Sequence, residues 1–187
     1  MNLLSVYWKL LSEYDPQDWW PGDSQYEIVM GALLTQNTNW KNAEKAINNL
    51  KKENLLSPKK ILSTPLNKLK KLIRPAGYYN QKSIRLKLLT KKYLEVKNKN
   101  LNTMELRKEF LSVKGVGKET ADSILLYAFN KPIFVIDAYT RRMCKKLFNK
   151  EFKEYDEYRD FFESNLPKNT KLFNEFHALI VEWGKMN

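Results

Sequence analysis

Hydrophobic positions recur along this chain at helical spacing. Trp40, Ala43, Ile47 and Leu50 fall at i, i+3, i+7 and i+10, one face of a helix. Leu86, Leu89, Tyr93 and Val96 make a second stripe, Ala121, Ile124, Leu125 and Ala128 a third, and Phe173, Phe176, Ile180 and Trp183 a fourth. The opening residues, MNLLSVYWKLLSEYD, predict a first helix. Pro16, Pro21, Pro58, Pro65, Pro75, Pro132 and Pro167 all fall where a helix would begin or end, as the missing N–H requires. Only Ile133–Ile136, between Pro132 and Asp137, looks like a strand, and so short a run cannot build a sheet. The pattern predicts an all-α fold of about ten short helices. No repeat interrupts it, and residues 91–109 place an exposed loop near Lys97–Asn102.

Charge changes this picture. Lys and Arg number 33 against 21 Asp and Glu, a formal net charge of +12. With 43% hydrophobic and 29% charged residues the chain has the balance of a globular protein. The basic excess therefore points outward, to nucleic acid or an anionic membrane surface. No apolar run approaches the roughly 18 residues of a membrane span, and the N-terminus lacks a basic region ahead of a long apolar core. The expectation is a cytoplasmic protein with no membrane partner. The lone Cys144 excludes a disulfide framework or a multi-thiolate centre, and the lone His177 excludes a two-histidine metal site.

The most informative segment is LSVKGVGKETADSILLYAFNKPIFVIDAYTRRMCKKLF, residues 111–148. Gly115 and Gly117 stand just before an amphipathic pattern. Alone, such a pair only turns the chain between two helices. With Lys114 and Lys118 beside it, the segment Lys114, Gly115, Val116, Gly117, Lys118 also suits phosphate, because N–H groups at a helix start lack internal partners. Asp137 precedes a pattern of Tyr139, Met143 and Leu147 and reads as its N-cap. A helix start also keeps a carboxylate ionised.

These residues resemble the helix-hairpin-helix DNA glycosylases of the endonuclease III superfamily. Their hairpin has the form L-P-G-V-G-x-x-T-A, followed by a hydrophobic run ending V-D. Upstream, ALLTQNTNW (32–40) and RPAGYYNQKS (74–83) extend the resemblance over about residues 25–148. It implies a two-lobed helical fold with the active site in the cleft between lobes, one spanning 19–130 and the other 1–18 with 131–187. Asp137 matches the catalytic aspartate, which stabilises positive charge at the sugar as the base leaves and assists the attacking water. Gln36 and Tyr78 match positions that enter the duplex when a nucleotide is extruded. The carbonyls of Leu111, Val113 and Val116 match donors to a monovalent cation. The partner implied is double-stranded DNA with damaged bases, and the state a monomer.

Two departures sharpen the expectation. Eighteen residues before Asp137, strand-cleaving members carry a Schiff-base lysine, and this chain has Glu119. A carboxylate cannot form an imine, and Lys118, one position earlier, is rotated by about 100° on a helix. The chain is thus expected to be monofunctional, with water as nucleophile. Many relatives also hold an iron–sulfur cluster with four cysteines after a helix like LFNEFHALIVEWGK. Only Cys144 is present here, so no cluster and no other cofactor is expected.

The segment DWWPG (18–22) looks like the small branch that excises 3-methyladenine. By that likeness Trp19, Trp20 and Pro21 line the base pocket, with Trp40 and Glu119 as further candidates. Stacked aromatics favour a cationic alkylpurine over neutral adenine by about 2 kcal/mol when desolvated, roughly thirtyfold. The bond to such a base is already weak, and no histidine lies near Asp137 in sequence to protonate it. Two other readings stay open: another base specificity (mismatched uracil or thymine, adenine, oxidised pyrimidine), or a helix-hairpin-helix module that binds DNA without cutting any bond.

Overall fold

The computed structural model of this chain describes residues 2–19 and 22–187. Among them the regular structure is wholly helical: eleven α-helices, one 3₁₀ turn and one π turn. The chain divides into two compact units, residues 1–20 with 125–187, and residues 21–124. These divisions fall at 20/21 and 124/125 rather than at the expected 18/19 and 130/131. The side chains explain the shift at the second division: Tyr127 is hydrogen-bonded to His177, so residues just after 124 are tied to the first unit.

In the first unit, α1 (Leu3–Tyr14) buries Leu3, Val6, Tyr7 and Leu10, an i, i+3, i+4, i+7 stripe. Asn2 caps it by accepting from Ser5 N. α9 (Ala138–Phe148), α10 (Tyr155–Asn165) and α11 (Thr170–Met186) complete the unit, with α11 packed against α1 and α9. Its centre is aromatic. Phe134 stacks on Phe162 with centroids 4.1 Å apart and meets Phe173 and Phe176 edge-on. The strand-like run Ile133–Ile136 is buried and extended without a sheet partner, and side chains of α10 take its backbone donors. Phe134 N donates to Glu163 and Ile136 N to Tyr155.

In the second unit, α2 (Gln25–Leu34) is apolar on every side beyond its first turn, which holds Gln25 and Glu27, and forms the centre of the packing. α3 (Trp40–Lys52), α6 (Tyr79–Val96) and α8 (Lys118–Ser123) surround it. Short helices α4 (Pro58–Ser63) and α5 (Leu66–Leu72) lean on α6, and a 3₁₀ turn at Arg74–Ala76 leads into it. α7 (Thr103–Leu111) starts with a capping box between Asn102 and Glu105. α7 and α8 are joined by a buried ion pair in which Arg107 holds both oxygens of Asp122, at 2.6 and 3.1 Å.

Three local expectations need correction. The stripe Ala121–Ala128 is not one α-helix: α8 ends at Ser123 and Ile124–Ala128 forms a π turn. Every residue from Thr120 to Ala128 is buried, so burial on one face does not define the segment. On α9 the buried face is Thr140, Met143 and Cys144, while Leu147 is exposed. Trp40, at the first turn of α3, is only half-buried, unlike Ala43, Ile47 and Leu50 beneath it.

Candidate active site

Asp137 stands where the buried extended run turns into α9. As N-cap it uses one oxygen: Oδ1 accepts from Thr140 N at 2.7 Å and from Thr140 Oγ1 at 2.8 Å. The other, Oδ2, faces His177 Nε2 at 3.5 Å. Burial pushes this carboxyl up, but the His177 ring and the Thr140 hydrogen bonds outweigh it and hold the group below its ordinary value. An ionised carboxylate with one free oxygen is what stabilising a developing positive charge requires.

Around it stand groups that sequence reasoning missed. His177 is buried on α11, and its Nδ1 pairs with the Tyr127 hydroxyl from the π turn. The ring of Trp19 meets the His177 ring in a T-shaped arrangement, centroids 6.4 Å apart. Trp19, Tyr127, Asp137 and His177 thus form one cluster within the first unit. His177 lies 40 residues beyond Asp137, next to the buried stripe of α11, and reads in sequence as an ordinary core position. Trp20 and Pro21 lie outside the described residues.

The second unit carries the other candidates. The turn between α7 and α8 is the hairpin. Gly115 adopts φ +88°, and a Cβ there would meet the Arg85 side chain at 2.2 Å. Val116 N donates to Val113 O, closing the turn. Gly117 is the N-cap of α8 and faces open space. Lys114 is exposed and Lys118 half-buried at this edge. Glu119 lies exposed in the first turn of α8, and Trp40 belongs to this unit as well. Of the three carbonyls named as cation donors, that of Val113 already accepts the Val116 N–H, which leaves it one further lone pair.

Gln36 stands two residues beyond the end of α2. Its Nε2 donates to Gly115 O at 3.0 Å and to Thr120 Oγ1 at 2.8 Å, which fixes it against the hairpin. Tyr78 is 62% exposed with φ +46°, a left-handed backbone that an aromatic residue rarely adopts. Gln36, Asn37, Tyr78, Gln81, Lys82 and Arg85 line a pocket of about 190 Å³. Lys82 is the hidden member. Buried at the head of the α6 stripe, its ammonium donates to Leu34 O, Gln36 O and Ala76 O at 2.7, 2.8 and 2.8 Å. One charge therefore ties the loop carrying Gln36 to the turn carrying Tyr78.

Arg141 and Arg142, on α9, both have partners within the first unit. Arg141 lies over the Tyr158 ring and Arg142 donates to Gly184 O. Cys144 is fully buried, and burial pushes its thiol up to about 12. Among the described residues no group of three or more His, Cys, Asp or Glu side chains could hold a metal ion. No helix among them is long and apolar enough to cross a membrane.

Residues 30–168 match the HhH-GPD superfamily of base excision DNA repair proteins. A Methanocaldococcus jannaschii protein, named only provisionally as a DNA repair glycosylase, is 52% identical, with 96% of this chain and 86% of that protein aligned. Endonuclease III of Thermotoga maritima is 26% identical over 86% of this chain and 73% of its own length. Among solved structures, the 3-methyladenine DNA glycosylase MagIII of H. pylori, bound to 1,N6-ethenoadenine, superposes with a TM-score of 0.84. It shares 32% identity, over 100% of this chain and 98% of that one. A trapped endonuclease III–DNA covalent intermediate has the same fold, with a TM-score of 0.83 at 19% identity.

Proposed function

Since this chain belongs to the HhH-GPD superfamily and is a DNA glycosylase of base excision repair, we propose that it hydrolyses alkylated purines, chiefly 3-methyladenine, from double-stranded DNA. The observation that carries this reading is the likeness to the H. pylori 3-methyladenine glycosylase along nearly the full length of both chains. Trp19 beside the Asp137 cluster supports it at the level of residues. A flat indole suits a cationic base, which has lost most of its water when bound.

In this reading the duplex is gripped by its phosphates, through Lys114, Lys118 and the amides from Gly115 to Gly117. A cation at the carbonyls of Leu111, Val113 and Val116 assists that grip. The damaged nucleotide is extruded, and Gln36 and Tyr78 fill the gap it leaves. Trp19, Trp20, Pro21, Trp40 and Glu119 receive the base. Asp137 then opposes the charge that grows on the sugar as the base departs, and orients water towards it. The alkylated base is already a good leaving group, so no acid is needed to protonate it.

Glu119 occupies the position of the Schiff-base lysine, and its carboxylate offers no amine. The enzyme therefore leaves the strand intact. It works as a cytoplasmic monomer on the chromosome, without an iron–sulfur cluster or other cofactor.

The test is base release from DNA treated with a simple methylating agent. Free 3-methyladenine, with strands unbroken until alkali is added and no covalent adduct trapped by borohydride, is the expected result. Trp19→Ala and Trp20→Ala together lower this release by about thirtyfold, the equivalent of 2 kcal/mol of aromatic stabilisation. Release of only uracil, thymine, adenine or an oxidised pyrimidine contradicts the assignment, as does unchanged release by both tryptophan variants.

A further inference from the structure

His177 is the one histidine of the chain, and its burial within the Asp137 cluster restricts what its two ring nitrogens can do. Nδ1 is paired with the Tyr127 hydroxyl. Burial, together with the carboxylates of Asp137 and Glu175, pushes the Tyr127 phenol well above its ordinary value. The phenol keeps its proton, and a neutral phenol pairs with Nδ1 as donor or acceptor. What fixes the ring is its other face: opposite a carboxylate oxygen, Nε2 is the nitrogen that carries a proton. Nε2 is buried without a hydrogen-bond partner at ordinary distance, and Asp137 Oδ2 lies 3.5 Å away. The opposite tautomer would turn a lone pair on a carboxylate oxygen.

We infer that Tyr127, His177 and Asp137 form a directed relay in which the Nε2 proton of His177 keeps the free oxygen of Asp137 ionised and aimed. His177 is thus a positioning residue, and the inference rests on the proposed role of Asp137 in base release. Asp137 needs such a partner, since Thr140 serves only Oδ1 and burial alone favours the protonated acid.

The surrounding charges are few. From α11, Glu175 also acts on Tyr127, while its own oxygens accept from the backbone of Gln17 and Asp18. From α1, Tyr7 is itself raised by burial and by Glu175. From α9, Thr140 offers a neutral hydroxyl. Among these described groups, His177 is the nearest that can answer the charge on Oδ2.

Because the histidine is single, nitrogen NMR of ring-labelled protein reads the relay without substrate. The expected spectrum shows the ring protonated at Nε2, with its proton resonance displaced in Asp137→Asn and its Nδ1 signal displaced in Tyr127→Phe. A ring without a proton on Nε2, or one indifferent to Asp137→Asn, overturns the inference. This arm stands even if the wild type releases no base, an outcome that counts against the functional reading alone. Single-turnover base release against pH supplies the second arm. His177→Leu moves the acid limb upward by about one pH unit or more, as expected when a carboxylate loses a favourable partner. His177→Gln, whose amide donates from a similar depth, returns the limb towards its wild-type position. A slower His177→Leu enzyme whose pH profile superimposes on the wild type marks a merely structural histidine and overturns the relay.

Discussion

Lys82 places an ammonium where three backbone carbonyls converge, on the oxygens of Leu34, Gln36 and Ala76. Replacing it with methionine keeps the aliphatic stem but leaves three acceptors without their shared donor. Unsatisfied buried polar groups cost about 1–3 kcal/mol, so Lys82→Met is expected to unfold at lower denaturant by a comparable amount. Burial, helped by the neighbouring Arg85 charge, pulls the Lys82 amine down to about 8. An amine held below its unfolded value makes the native state release its proton first, so the wild type gains stability as pH rises from about 8 towards the unfolded value near 10.4. The methionine variant has no such gain, and the gap between the two widens over that window. Denaturant titrations at pH 7 and pH 9.5 check this, and a gap that narrows contradicts it. The position was legible in part: 82, 86, 89, 93 and 96 share one buried face of α6, so a lysine heading that stripe had to find partners. Which carbonyls it would meet was not legible, because Leu34 and Gln36 lie more than 40 residues away.

At the scale of elements, the hairpin separates two glycines that look alike in sequence. Gly115 has a left-handed backbone and the Arg85 side chain where a Cβ would stand, whereas Gly117 has ordinary φ and open space. Gly115→Ala is therefore expected to cost about 1–3 kcal/mol of stability, from the backbone conformation and the displaced guanidinium. Gly117→Ala changes stability by less than about 0.5 kcal/mol, yet weakens DNA binding by filling the space where backbone meets phosphate. Thermal unfolding beside a binding titration distinguishes them. Equal stability loss at both sites, or undiminished binding by Gly117→Ala, contradicts the reading. The turn itself was visible in V-K-G-V-G-K because glycine and flanking helical periods are local signals. The π turn at Ile124–Ala128 was not, since over five buried residues the α and π patterns coincide. Nor was the way the run Ile133–Ile136 satisfies its backbone, because Tyr155 and Glu163 reach it from a later helix.

For the molecule as a whole, the net charge of +12 and the family agree on DNA as the partner. The all-helical class followed from periodicity, and the order of the glutamine loop, the tyrosine turn, the hairpin and Asp137 followed from motifs whose signal is local. The Asp137 cluster was half visible. Its aspartate and Trp19 stood in recognisable segments, while Tyr127 and His177 joined it through a π turn and a distant helix. A site assembled by tertiary packing shows in sequence only those members that also carry a local pattern.

What separates an enzyme from a DNA-binding module is the use of Asp137, since a binder of polyanions gains nothing from an anion facing its ligand. The direct measurement sets wild type and Asp137→Asn side by side, reading both duplex affinity and single-turnover release of 3-methyladenine. The amide keeps an oxygen for the Thr140 cap but removes the negative charge. Release is expected to fall by about 100-fold or more, the scale of losing one electrostatic partner of the transition state, while affinity for DNA is kept or increased. Two proteins that bind alike and release no base, or an Asp137→Asn variant that releases base at the wild-type rate, would contradict the account.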